Sequence, residues 1–146
     1  MDTRKSIKLD THTALADLDQ KGKIIAEYIW LDGSLSLRAK ARTLDSKITS
    51  LDQIPEWNFD GSSCYMAPTE NSEVIIKAAA YYPDPFRGGN HIIVLSETFV
   101  WEDTTYKNLK PAISNFRHFA NKIWDANKEE KPWYGVEQEY TLLESM

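Results

Sequence analysis

The chain has 146 residues, a formal charge of -5, 42% hydrophobic residues and 12% aromatic residues, including five Trp and seven Tyr. That is long enough for one domain with a proper core, and too apolar and aromatic for a disordered chain. The net negative charge excludes a general nucleic-acid or anionic-membrane surface, which a phosphate-rich partner would avoid.

No apolar run approaches the roughly 20 residues of a membrane span, and the lone Cys64 has no internal disulfide partner. Met1-Asp2-Thr3-Arg4-Lys5 lacks the apolar stretch of a secretion signal. A reducing, cytoplasmic setting with small-molecule or protein partners is expected, with neither nucleic acid nor membrane.

Thr11 to Gln20 reads as a short helix capped by Asp10 or Thr11, with Leu15 and Leu18 inward and Lys21-Gly22 ending it. Ile24 to Leu31 is rich in β-branched and aromatic residues, and Asp32-Gly33 is a two-residue turn signal that joins it to a second strand, Leu35 to Leu44. In that strand Leu35, Leu37, Ala39 and Ala41 alternate with Ser36, Arg38, Lys40 and Arg42. Period two assigns the apolar set to the core. The cations then form either a solvated face or a basic strip along an anionic cleft.

Residues 48 to 72 read as loop, punctuated by Ile54-Pro55, Asp60-Gly61, Ala67-Pro68 and Asn71-Ser72, with Trp57 and Phe59 arguing that it is ordered. Val74 to Tyr82 and His91 to Trp101 are the next strands, the latter covered on both faces. After a polar linker, Glu102 to Lys110, the period changes to 3.6: Ile113, Phe116, Phe119, Ala120, Ile123 and Trp124 share one helix face, with Pro111 near the start or Ser114 as cap. Tyr134 to Leu143 reads as a final strand. The fold class is therefore α+β.

Two stretches carry chemistry. Glu137 and Glu139, at i and i+2 of a strand, would point to the same side roughly 6 to 7 Å apart at their bases, close enough to share hard divalent cations. An acidic strand edge in solvent is the alternative. Asp60, before Gly61 and two hydroxyls, is either a functional carboxylate or a turn residue bonding its own backbone. His12, His91 and His118 have no ligand spacing to one another or to Cys64, which argues against zinc. No Gly-rich phosphate loop is present.

Ala26 to Gly33, Arg42-Thr43-Leu44, Trp57-Asn58-Phe59-Asp60-Gly61-Ser62-Ser63, Asp84-Pro85-Phe86-Arg87, Asn115-Phe116-Arg117-His118 and Glu137-Gln138-Glu139-Tyr140-Thr141-Leu142 resemble the amino-terminal part of eukaryotic-type glutamine synthetases, in order and spacing. The resemblance covers roughly Gly22 to Leu143. It implies a β-grasp-like domain over 22–107 after an N-terminal helical segment, 1–21, and a truncated start of an α/β catalytic domain over 108–146. It implies a ligase that makes glutamine from glutamate, ammonia and ATP through γ-glutamyl phosphate, in ring-forming homo-oligomers whose active sites lie between neighbouring subunits.

Carried over by the same resemblance, Asp60 matches the ammonium-binding, proton-accepting aspartate, and Ser63 a serine beside it. Glu137 and Glu139 match the first two carboxylates of the Mg²⁺ or Mn²⁺ cluster, Glu137 also lying close to ATP.

Family members continue well past the second motif, where the other metal ligands, the substrate-binding arginines and the shielding flap lie. This chain alone is therefore expected to be inactive. A second expectation is a truncated, non-catalytic paralogue that binds and modulates full-length rings. Two local departures stand out: Cys64 replaces the usual Thr after Gly-Ser-Ser, and Thr69-Glu70-Asn71-Ser72-Glu73 replaces a segment that usually begins with Gly.

Overall fold

The computed structural model describes residues 18–144. Six strands, β1 (Ile24–Leu31), β2 (Leu37–Leu44), β3 (Trp57–Asp60), β4 (Glu73–Pro83), β5 (Ile92–Trp101) and β6 (Leu109–Pro111), precede the helix α1 (Phe116–Asn127). They form one mixed sheet in the order β2-β1-β5-β4-β3, with β6 paired to β5. β1 and β5 run parallel from Ala26↔Ile92 to Ile29↔Leu95, and the other pairs are antiparallel. This is the expected α+β class, and it is consistent with a β-grasp-like domain.

The core follows from period-two burial. Ile24, Ala26, Tyr28 and Trp30 of β1 are buried on one face with Val74 and Ile76 of β4 and Ile92 and Val94 of β5. Ile48, Ile54, Cys64 and Met66, from the segment between β2 and β4, and Ala112, just after β6, complete the same cluster.

That segment is not all loop. Trp57–Asp60 forms β3, in register from Trp57↔Ile76 to Asp60↔Glu73. Dense turn residues hid a four-residue strand whose inward pair is Trp57 and Phe59. Phe59 stacks on Trp30 at 4.4 Å between ring centroids, and Trp57 meets Tyr28 edge-on at 5.6 Å. β1 and β3 are separated in the sheet by β5 and β4, so these contacts require the sheet to curl. The Tyr28 hydroxyl donates to Pro55 O at 2.7 Å, which satisfies the polar end of a buried ring.

In β2 the expected faces are reversed. The register sets Arg38 opposite Trp30, Lys40 opposite Tyr28 and Arg42 opposite Ala26, on the core side, and leaves Leu37, Ala39 and Ala41 exposed. Lys40 Nζ donates to Asn58 O at 2.8 Å and lies 3.7 Å from the centroid of the Trp57 ring, with the Arg42 guanidinium 5.1 Å from it. At the rim of a curled sheet the inner side offers an aromatic face and a free carbonyl. Long cationic side chains use both while their charged heads reach water. The period was legible, but not which side it served.

The connection before β2 is also longer than a two-residue turn. Asp32 N–H donates to Ser36 O at 2.9 Å, Leu35 N–H to Asp32 O at 3.0 Å, and Leu35 takes φ 63°.

The predicted strands 74–82 and 91–101 appear as β4 and β5. His91 sits outside β5 and accepts Ile25 N–H on Nδ1 at 2.8 Å. The expected linker 102–110 contains the start of β6, and Pro111 belongs to that strand, not to a helix start. The cap of α1 is Asn115 and not Ser114: its Oδ1 accepts from His118 N–H at 3.1 Å while its Nδ2 donates to Thr98 O at 2.9 Å. Ser114 Oγ donates to Leu31 O at 2.7 Å, so the chain up to Asn115 is pinned to the sheet.

The predicted helix 11–20 lies mostly outside the described residues, and Leu18 to Gln20 are exposed and not helical. The predicted strand 134–143 does not form: 131–144 has no regular structure, and Trp133, Val136 and Leu142 are exposed. A strand exists through a neighbour that takes its ladder bonds, and no described strand lies beside this segment.

Hydrogen exchange should follow this division. Amides of β1, β4 and β5 are expected to be the slowest, and those of 128–144 to exchange near the unprotected rate, since no residue of α1 or the turn after it is buried. Replacement of Lys40 by Met removes both the Trp57 contact and the bond to Asn58. It should cost about 1–2 kcal/mol in urea denaturation, the scale of one cation–π contact plus one hydrogen bond.

Candidate functional site: the Asp60 turn

β3 ends on Asp60, and the chain then turns sharply. Asp60 Oδ1 accepts Ser62 N–H at 2.9 Å and Ser62 Oγ–H at 2.7 Å. Those bonds, the Ser62 hydroxyl foremost, hold the exposed carboxyl below the ordinary carboxylate range, so it is anionic at neutral pH. Asp60 thus bonds its own turn, as one of the two readings has it, and its carboxylate still faces solvent.

Gly61 makes the turn geometrically possible. Its N–H donates to Ser72 O at 2.7 Å, and its carbonyl accepts from Cys64, Met66 and Ala67 N–H at 3.3, 3.0 and 3.3 Å. A Cβ added at Gly61 would lie 2.4 Å from Val74 Cγ2, inside the core. Ser62–Cys64 is a single 3-10 turn that leaves Ser63 exposed and Cys64 buried, and Tyr65 closes it at φ 59°. Burial pushes the Cys64 thiol up.

Beside the turn, Glu73 accepts from Asn58 Nδ2 at 2.5 Å and from Trp101 Nε1 at 2.7 Å. The departure at Thr69 is harmless in this frame: Thr69–Asn71 is a 3-10 turn, and Thr69 does not take positive φ.

Asp60 and Ser63 are thus brought together on one exposed turn. Ser62, which the motif contains but which sequence reasoning did not single out, is the residue that orients the carboxylate. The Asp-x-Ser spacing of a side-chain-bonded turn was the available signal. Glu137 and Glu139 lie on the irregular exposed segment 131–144, without the common strand face expected for them. Among the described residues, no hydrogen bond or ion pair joins their carboxylates to Asp60 or Ser63, and no three metal-ligating side chains gather. They can offer oxygen ligands to a hard cation, but not a formed cage.

No family model matches the chain. It is similar to the glutamine synthetases of Candida glabrata and Saccharomyces cerevisiae, each 52% identical over 128 residues, which is 88% of this chain and 33% of the relative. The glutamine synthetase of Eremothecium gossypii is 47% identical over 137 residues, 94% of this chain and 36% of the relative. The chain therefore spans about a third of the length of the curated relatives it matches.

Introducing a methyl at Gly61 forces it into Val74. The Gly61→Ala variant should lose about 1–3 kcal/mol, the usual scale of core overpacking, read as a lower denaturation midpoint.

Proposed function

Because the chain belongs to the glutamine synthetase family, we propose that it supplies the ammonium-facing part of a glutamate–ammonia ligase that forms glutamine with ATP. The observation that carries this reading is an exposed Asp60 carboxylate, held by Ser62, within a stretch 52% identical to glutamine synthetases.

Ser62 directs both its N–H and its Oγ–H to Asp60 Oδ1 and donates nothing to Oδ2, so the carboxylate can hold an ammonium ion by charge and accept its proton as the nitrogen attacks. Its lowered pKa favours holding the cation over being a strong base at rest. Ser63, exposed on the same turn, adds a hydroxyl acceptor.

Glu137 and Glu139 fit an oxygen-ligand role toward Mg²⁺ or Mn²⁺, Glu137 on the ATP side. Such ions offset charge on a transferring phosphoryl group. On this reading residues 22–107 form the small domain and 108–146 begin the catalytic one, within a cytoplasmic, ring-forming assembly. With two exposed carboxylates and no third ligand among the described residues, the chain by itself is proposed to be inactive.

The test uses the chain alone. It should form no γ-glutamyl hydroxamate from glutamate, ATP and hydroxylamine with Mg²⁺, and sustained turnover would overturn the proposed inactivity. Ammonium chloride should move the Asp60 carboxyl carbon resonance more than sodium chloride does, and Asp60→Asn should abolish the difference. Equal responses to the two salts would remove the ammonium role.

A further inference from the structure

The turn that carries Asp60 does not stand alone. Asp32, at the end of β1, is fully buried, and four donors converge on it: Ser34 N–H at 2.9 Å, Ser34 Oγ–H at 2.7 Å and Ser36 N–H at 3.0 Å on Oδ1, and Arg38 Nε–H at 2.7 Å on Oδ2. A buried charge paired this fully is hard to move, because displacement strands it without partners.

The next residue, Gly33, donates its N–H to Cys64 O at 3.1 Å. A Cβ on Gly33 would lie 2.1 Å from Tyr65 O and 2.6 Å from Tyr65 C. Both are backbone atoms, so no rotamer change relieves the clash. Gly33 is not at positive φ, which means that glycine is required there by proximity and not by conformation.

We propose that Asp32 and Gly33 are positioning residues for Asp60 and Ser63: the β1–β2 connection is the floor on which the ammonium-facing turn rests. The path between them is short. Cys64 and Tyr65 directly follow Ser63, and Cys64, Met66 and Ala67 all donate to the Gly61 carbonyl, one residue after Asp60. Tyr65 sits at φ 59°, a conformation with little room to absorb a shift. The floor is itself anchored, since Ser114 Oγ holds the Leu31 carbonyl next to Asp32. This deepens the function proposed above and rests on it for the ligand, but not for the mechanics.

NMR on the chain separates the two. In Gly33→Ala the Asp60 carboxyl titration should rise toward the ordinary value of 3.8 and the Ser62 amide should exchange at least about tenfold faster, as expected when a turn bond opens locally. The Tyr28 and Val94 amides of the β1–β5 ladder should keep their protection. Asp32→Asn, which keeps the shape and removes the charge, should move Asp60 and Ser62 in the same direction by less.

Unchanged Asp60 titration and Ser62 exchange in a folded variant would overturn the proposal. So would ladder protection falling in step with Ser62, or failure of both variants to fold, because the role would then be general to the fold. Should Asp60 in the unmodified chain prove indifferent to ammonium, the functional reading fails while the positioning result still stands or falls on Ser62 and Asp60.

Discussion

The contact of Trp30 and Tyr28 with Phe59 and Trp57 closes this fold. It joins β1 to the edge strand β3 across the two strands that lie between them, which a flat sheet cannot do. Stacked and edge-on aromatic pairs give large buried area with specific geometry, so they set the curl as well as stabilise it. Once the sheet is curled, the β2 rim reaches the β3 rim, and Lys40 can bridge from one to the other through Asn58 and Trp57. The position of β3, and hence of the Asp60 turn at its end, is a consequence of that closure.

The closure also explains why the turn is well supported although it is exposed. Curling brings the β1–β2 connection against residues 64–65, where backbone meets backbone so closely that only glycine fits at position 33. On the other flank, Gly61 is pressed against Val74 and tied to Ser72. Two glycines at two close approaches, with a paired buried carboxylate behind one of them, make a rigid seat for a solvent-facing carboxylate. On the proposed reading such rigidity suits a carboxylate that holds a small cation, because a small ligand offers few contacts with which to organise its own pocket.

Much of this was legible. The β-branched and aromatic content of β1, the strands β4 and β5, and the Asp60 motif are written in residue types and periods that local physics interprets directly. What was not legible depended on tertiary context. β2 alternates cleanly, yet which face is inner depends on Trp57 arriving from a strand that the turn residues concealed. β6 is three residues long and owes its existence to the far half of β5. Asn115 outcompetes Ser114 as cap because its amide can also reach Thr98, a partner 17 positions back. Ser62 orients Asp60 although the motif offers two serines, and spacing to the carboxylate separates them.

The two motifs therefore differ in readiness. Asp60 needs only local bonds and a floor, all of which lie within the described chain, so its geometry is formed before any ligand arrives. Glu137 and Glu139 need a strand to share a face, a strand needs neighbours, and the exposed segment 131–144 has none beside it. Divalent cations such as Mg²⁺ demand near-octahedral oxygen cages and shed water reluctantly, so two carboxylates on an irregular segment make a far poorer site than the same pair on a sheet. The motif that looks most like metal chemistry in sequence thus depends most on surroundings that sequence does not display, while the modest Asp-Gly-Ser turn carries its geometry with it.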